Sequence, residues 1–133
     1  MAWTAQQNHP RHRCFQGQAG LKKVCENSLY LVVLLPLNEQ TQGIINQQTL
    51  SWCHTKTTLI NVGRGGHVNE VDLLQALNLG LIKQAVLDVF NAEPLPINHP
   101  FWNHPKITLT PHSSSRSDVK QTAKEIVRMY QQL

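Results

Sequence analysis

The run Leu29-Tyr30-Leu31-Val32-Val33-Leu34-Leu35, closed by Pro36, constrains this chain more than any other feature. A continuous apolar run this short, rich in branched side chains and ended by proline, predicts a strand covered on both faces, as in a parallel sheet. Three further runs of the same kind follow. They are Thr57–Val62, ending in Gly63-Arg64-Gly65-Gly66; Ala85–Phe90; and Lys106–Thr110, closed by Pro111.

Helical signals separate these runs. Ala19–Glu26 reads as one or two helical turns and Asn46–Cys53 as a short helix. Asn69 is placed to cap a longer helix, with Asp72 three residues on in a capping-box-like position and Gly80 as the stop. In that helix Val71, Leu74 and Leu77 are expected on one face, flanked by Leu73. A last amphipathic helix is expected from about Ser117, carrying Val119, Ala123, Ile126, Val127 and Tyr130 on one face. Residues 1–17 read as a polar loop after a short apolar start, and Glu93 through Pro105 as too proline-dense for regular structure. Strand and helix alternate as in an α/β fold with a parallel sheet.

Composition narrows the function classes. With 133 residues, 41% hydrophobic and 15% charged, the chain is expected to be one compact domain, not a disordered tail or a coiled coil. No run approaches the ~18 apolar residues of a membrane span, and Met1-Ala2-Trp3-Thr4 leads into no signal-type apolar region. The chain is therefore expected to be soluble, without membrane association. Lys and Arg number 12 against 8 acidic residues, but they are scattered apart from Arg11-His12-Arg13 and Lys22-Lys23. An RNA-binding surface built on Arg11–Arg13 and Gly63–Gly66 would lack clustered aromatic side chains, so no nucleic acid partner is expected. Cys14, Cys25 and Cys53 show no C-x-x-C spacing, which predicts free thiols in a reducing cytoplasm. The His9/His12 and His99/His104 pairs lack matched partners, so no metal site is expected.

In an open parallel sheet, ligands bind beyond the carboxyl ends of the strands. The residues after the successive runs are Pro36, Gly63-Arg64-Gly65, Asp88 and His112, with Glu93 within loop reach. Glycines there let the backbone approach a ligand, and a guanidinium can grip a carboxylate through two hydrogen bonds. An arginine between glycines is also a common solvated turn. A histidine bonded to a carboxylate has its protonated form favoured and can serve as a proton donor, although a lone histidine after a strand is more often a packed residue. Asp88 interrupts an apolar run, and a buried carboxylate is costly unless paired. It could cap a neighbouring loop or hydrogen-bond a ligand; spacing leaves both readings open.

The wording of these segments resembles a known family. Asn61-Val62-Gly63-Arg64-Gly65, Leu87-Asp88-Val89-Phe90 with Glu93-Pro94-Leu95, and Thr110-Pro111-His112 are similar to successive signatures of the D-isomer-specific 2-hydroxyacid dehydrogenases. Leu34-Leu35-Pro36-Leu37 and the Glu39–Asn46 segment resemble the preceding block. Glu93-Pro94-Leu95-Pro96 and Pro100–Pro105 look closest to the glyoxylate/hydroxypyruvate reductase branch. The likeness runs from Leu29 to His112. It implies an incomplete doubly wound, Rossmann-like α/β domain. Residues 1–28 would be a lead-in resembling the end of the second Rossmann strand plus a loop and short helix, and 29–133 the second part of an NAD(P)-binding domain.

The resemblance also implies the chemistry: NAD(P)H-dependent reduction of a 2-oxo acid to a 2-hydroxy acid. Arg64 would hold the substrate, His112 would donate the proton, and Glu93 would orient His112 and keep it protonated. Leu35, Pro36, Val62, Gly63, Asp88, Ser113 and Ser114 would line the dinucleotide. Thr4-Ala5-Gln6 stands where the branch carries an arginine suited to a 2′-phosphate, and no acidic residue replaces it, which leaves NADP and NAD both open. No Gly-x-Gly-x-x-Gly occurs in the sequence, although that motif supplies the turn and helix N-terminus under the pyrophosphate. Two expectations follow. Either the catalytic residues belong to a working oxidoreductase segment, or the chain is a truncated remnant or pseudoenzyme serving only as a binding or dimerisation module. The resemblance implies a homodimer through the nucleotide-binding domain.

Overall fold

The computed structural model describes residues 1–4 and 12–112. The expected last helix from Ser117, and Ser113 and Ser114, lie outside these described residues. In chain order the elements are β1 (Ala2–Trp3), β2 (Cys14–Phe15), α1 (Gly17–Glu26), β3 (Tyr30–Val33), α2 (Gln47–Ser51), β4 (Thr58–Asn61), α3 (Glu70–Asn78), β5 (Gln84–Leu87) and β6 (Ile107–Leu109). Single 3₁₀ turns occupy Gly65–His67 and Pro100–Asn103. The fold is the expected parallel α/β arrangement. β3, β4, β5 and β6 lie side by side in that order, all parallel, while β1 and β2 pair in a separate parallel ribbon.

One core unites the larger sheet with the helices. Leu31, Val33, Leu59, Ala85 and Leu87 come from the strands, Val24 and Cys25 from α1, Leu50 from α2, and Leu73, Ala76 and Leu77 from α3. Phe101, in the proline-rich stretch, is buried with them. The chain enters α2 through a reciprocal cap: Asn46 Oδ1 accepts from Thr49 N–H, and Thr49 Oγ1 accepts from Asn46 N–H. This arrangement pairs two donors of the helix start, the Asn46 and Thr49 N–H groups.

Five local expectations change. β3 is not covered on both faces: Leu31 and Val33 are buried, whereas Tyr30 and Val32 are exposed. Among the described residues it is one edge of its sheet, and a cavity of about 350 Å³ is lined by it and by Trp3 on β1. The Asn69 cap forms, with its side chain accepting from Val71 and Asp72 N–H, but the Asp72 carboxylate accepts from Gln47 N–H at 2.9 Å and ties α3 to α2. A neighbouring helix start has captured the group that a capping box would use. The buried face of α3 is Leu73, Ala76 and Leu77, and Val71 is exposed. The reason is that α3 packs on α2 and the sheet through a side roughly 100° round from the Val71, Leu74 and Leu77 stripe, given ~100° per residue, so that only Leu77 belongs to both. The segment read as loop before residue 17 contains β2, a two-residue strand. The proline-rich stretch makes one regular turn, with Pro100 at its start and the His99 ring accepting from Phe101 N–H, a position where proline's missing N–H costs nothing.

Candidate active site

The rim beyond the strand ends is built from side chains that tie strand termini together. β4 ends at Asn61, whose buried amide accepts from Gly63 N–H at 3.2 Å and donates to Arg64 C=O at 2.9 Å. That pair of bonds folds the chain back at once and leaves Arg64 exposed at the tip, its Nη1 donating to Gly63 C=O at 2.7 Å. The ring of His67 lies under the turn, fully buried, and its Nδ1 is 3.1 Å from Arg64 N. Gly65 rests directly on the backbone of Phe90: a Cβ there would come within 2.0 Å of the Phe90 carbonyl carbon and oxygen. Only glycine allows that approach, and it brings the arginine turn against the loop that follows β5.

That loop starts with Asp88. Its N–H donates to Asn61 C=O at 3.0 Å, and its carboxylate, 1% exposed, accepts from Thr110 Oγ1 just past β6. Asp88 therefore joins the ends of three strands. The loop is then held to the start of α3: Asn91 N–H donates to Glu70, Asn91 Nδ2 to Val68 C=O, and His99 stands 3.4 Å from the Glu70 carboxylate.

These anchors place Glu93. Its Oε1 accepts from Phe90 N–H at 3.0 Å and its Oε2 is 2.8 Å from His112 Nδ1. The hydrogen bond from His112, then that from the Phe90 amide, hold the Glu93 carboxyl below the ordinary glutamate range, with the nearby charges of His112 and Arg64 acting in the same direction. His112 itself sits at φ 50°, in the left-handed region, where a non-glycine residue is strained and tends to mark a functional position. Beside the pair opens a cavity of about 340 Å³, walled by Phe90, Leu95, Trp102 and Leu109, with Glu93, Thr110 and His112 supplying its polar groups.

Of the residues singled out in the sequence, Glu93 and His112 touch, and Arg64 lies close enough for its charge to act on Glu93. Leu35 and Pro36 follow β3, and the Pro36 carbonyl is taken by Thr41 Oγ1 at 2.7 Å. Val62 continues the pairing to Val33, and Gly63 packs on the His67 ring. Asn61 and Thr110, quoted in the sequence reading only as parts of family-like segments, and His67, not singled out there, organise the rim. The available signal was polar residues at the ends of apolar runs. Among the described residues, no group of three or more His, Cys, Asp or Glu could hold a metal ion, and no helix is long and apolar enough to cross a membrane.

A parallel sheet flanked by helices, with Arg64, Glu93 and a Glu93-bonded His112 on its carboxyl rim, is a Rossmann-like α/β fold. The profile of the D-isomer specific 2-hydroxyacid dehydrogenase NAD binding domain matches residues 1–114, and the chain belongs to that family. It is 47% identical over 98 residues to glyoxylate/hydroxypyruvate reductase A of Yersinia enterocolitica, a match covering 74% of this chain and 31% of that protein. The solved D-isomer specific 2-hydroxyacid dehydrogenase of Xanthobacter autotrophicus, in complex with NADPH and MES, superposes with a TM-score of 0.87 at 35% identity, over 95% of this chain and 52% of that one. The apo NADPH-dependent glyoxylate/hydroxypyruvate reductase of Sinorhizobium meliloti gives a TM-score of 0.81 at 34% identity, over 90% and 62%. The chain spans about a third of the length of the curated relatives it matches.

Proposed function

We propose that this chain carries the catalytic side of an NAD(P)H-dependent reductase acting on small 2-oxo acids of the glyoxylate or hydroxypyruvate type. The observation that carries this reading is the Glu93–His112 pair at 2.8 Å on the rim that also bears Arg64. Arg64 grips the substrate carboxylate through its two-pronged guanidinium. With Nδ1 committed to Glu93, His112 gives its proton from Nε2 to the substrate carbonyl oxygen. Glu93 fixes the ring's orientation, itself fixed by the Phe90 amide, so the donor is aligned before substrate arrives.

The cavity beside His112 suits the nicotinamide end of a dinucleotide: it is of small-molecule size and apolar, with few polar groups. Leu35, Pro36, Val62, Gly63, Asp88, Ser113 and Ser114 would hold that molecule, which when bound supplies the hydride equivalent for the carbonyl carbon. NAD and NADP both remain candidates. The sequence contains no Gly-x-Gly-x-x-Gly, so the reading includes negligible glyoxylate turnover by the 133-residue chain assayed alone.

A second reading, a binding or dimerisation module without turnover, draws on the exposed β3 edge, with Tyr30 70% and Leu34 72% exposed. An unpaired apolar edge is a template for pairing with another chain. Titrating the purified chain with NADPH and then NADH, followed by nicotinamide fluorescence, separates the two. Saturable micromolar binding supports an organised cofactor site and justifies a glyoxylate assay; folded protein that binds neither favours the module. Saturable glyoxylate reduction at ordinary enzymic rates by the chain alone would refute the expected lack of turnover.

A further inference from the structure

His67 has no role in the chemistry above, yet its ring is fully buried directly beneath Arg64. Nδ1 stands 3.1 Å from the Arg64 amide nitrogen and 3.0 Å from the Arg64 carbonyl oxygen. One ring nitrogen cannot serve both. It accepts from the amide only as a lone pair and donates to the carbonyl only as an N–H. The carbonyl already receives Asn61 Nδ2 at 2.9 Å and the His67 backbone N–H at 3.2 Å. The Arg64 amide has Nδ1 as its acceptor, the one acceptor it has among the described residues. Each tautomer leaves one N–H without an acceptor, but the Nδ1–H form also leaves the buried Nε2 lone pair bare and only adds a third donor to a carbonyl already served, so the network favours the lone pair on Nδ1 and the ring proton on Nε2. Nε2 has no hydrogen-bond partner among the described residues. The lone pair on Nδ1 is thus the ring's one productive bond there, and it ends on the backbone of the arginine.

We propose that His67 is a positioning residue for Arg64: its Nδ1 lone pair holds the Arg64 amide and so sets the direction in which the guanidinium leaves the turn. The proposal rests on reading Arg64 as the carboxylate clamp. The geometry supports a lever. Asn61 fixes the turn from the strand side, His67 fixes it from below, and Gly63 packs on the ring, with a Cβ there reaching 3.1 Å from His67 Cε1. Releasing the amide lets the peptide plane before Arg64 rotate, and a small rotation at the backbone displaces the end of a long side chain by far more.

Two measurements on the full chain test this. Nitrogen-15 imidazole spectra report the tautomer directly, with His67 expected to show a bare Nδ1 and a protonated Nε2. A protonated Nδ1 overturns the proposal. Oxalate, as a dicarboxylate probe, is then titrated into the wild type and into Arg64→Ala, His67→Leu and His67→Asn. Asparagine keeps an acceptor oxygen near the place of Nδ1; leucine keeps only bulk. Arg64→Ala and His67→Leu are expected to weaken oxalate by about ten-fold or more, and His67→Asn by no more than about three-fold. If Arg64→Ala weakens binding while His67→Leu does not, or while His67→Asn loses as much as Arg64→Ala, the positioning role is wrong and the clamp stands. If Arg64→Ala binds as the wild type does, or folded wild type binds no oxalate, the clamp reading fails and the proposal with it. Should His67→Leu not fold, the tautomer and His67→Asn decide.

Discussion

Nδ1 of His112 and Oε2 of Glu93 stand 2.8 Å apart although 19 positions separate them in the chain. The contact depends on elements that do no chemistry. Glu70 and Val68 hold Asn91, Gly65 seats the loop on the arginine turn, and the Phe90 amide takes the second carboxylate oxygen. The pair is therefore a consequence of loop anchoring, and its electrostatics and its supports can be tested separately.

The Glu93 carboxyl is held below its ordinary range by His112 and then by the Phe90 amide. A carboxyl whose folded value is depressed contributes stability that is fully present above its unfolded value and is lost as pH falls through the folded one. Its side chain is more than a third exposed, so solvent screening keeps the contribution small. Thermal melts of wild type and Glu93→Gln should converge at strongly acid pH, and the wild type should gain its advantage as pH rises through the depressed folded value and hold it in full above about 4.3, the free glutamate value. An advantage that is equal at pH values on both sides of that point would mean glutamine loses packing instead of charge.

Gly65 and Gly66 are neighbours with opposite demands. A Cβ at Gly65 would meet backbone at 2.0 Å, whereas one at Gly66 would meet the Leu37 Cδ2 at 3.0 Å, the end of a side chain that is 45% exposed and can move. Forcing backbone apart costs at least the ~1–3 kcal/mol of ordinary overpacking. Urea unfolding should therefore show Gly65→Ala destabilised by about 3 kcal/mol or more and Gly66→Ala by less than about 1 kcal/mol. Gly65→Ala should also weaken the Glu93–His112 contact, visible as a change in the His112 ring resonances.

The sheet was legible because its strands are short apolar runs with clear stops: Pro36, Gly63 and Pro111 each follow a strand within a few residues of where the pairing ends. Arg64, Glu93 and His112 were legible because chemistry-bearing residues after such strands fall on one rim. What escaped depends on three-dimensional partners. Leu29–Leu35 looks two-sided in sequence, but burial of alternate residues is decided by which neighbours flank β3. Asp72 has the spacing of a capping box and bonds Gln47 instead, since α2 starts next to it. Asn61, His67 and Thr110 look like ordinary polar residues until the turn they organise exists. No local pattern announces that a ring six positions past the end of a strand will sit beneath an arginine.

The orientation of α3 gives a direct test of that distinction. Hydrophobic spacing admits Val71 to the buried face, while the fold buries Leu73 completely and leaves Val71 71% exposed. Truncating a buried leucine to alanine removes contacts and leaves a cavity, costing ~2–5 kcal/mol. Leu73→Ala should fall in that range by urea denaturation, and Val71→Ala should change stability by less than about 0.5 kcal/mol. A large loss at Val71 would put the helix in the other orientation.

Asp88 tests whether the joint between strand ends is energetic or incidental. Its carboxylate is almost fully buried and accepts from Thr110 Oγ1; the donor offsets part of the cost of taking a charge out of water. Valine at position 110 has nearly the same shape and no hydroxyl, so Thr110→Val removes the donor without opening a cavity. The expected loss is about 1.5–3 kcal/mol, the worth of one hydrogen bond to a charged acceptor. Thr108, exposed on the same strand, is the control, and Thr108→Val should stay within about 0.5 kcal/mol. Because Asp88 also receives its place from Asn61 through the backbone, the Thr110→Val chain should still fold. The local effect should then appear at the rim, as shifted amide resonances of Asp88 and Phe90 with those of α1 unchanged. Equal stability of the two valine variants would mean that the carboxylate is satisfied without Thr110 and that the hydroxyl contact is incidental.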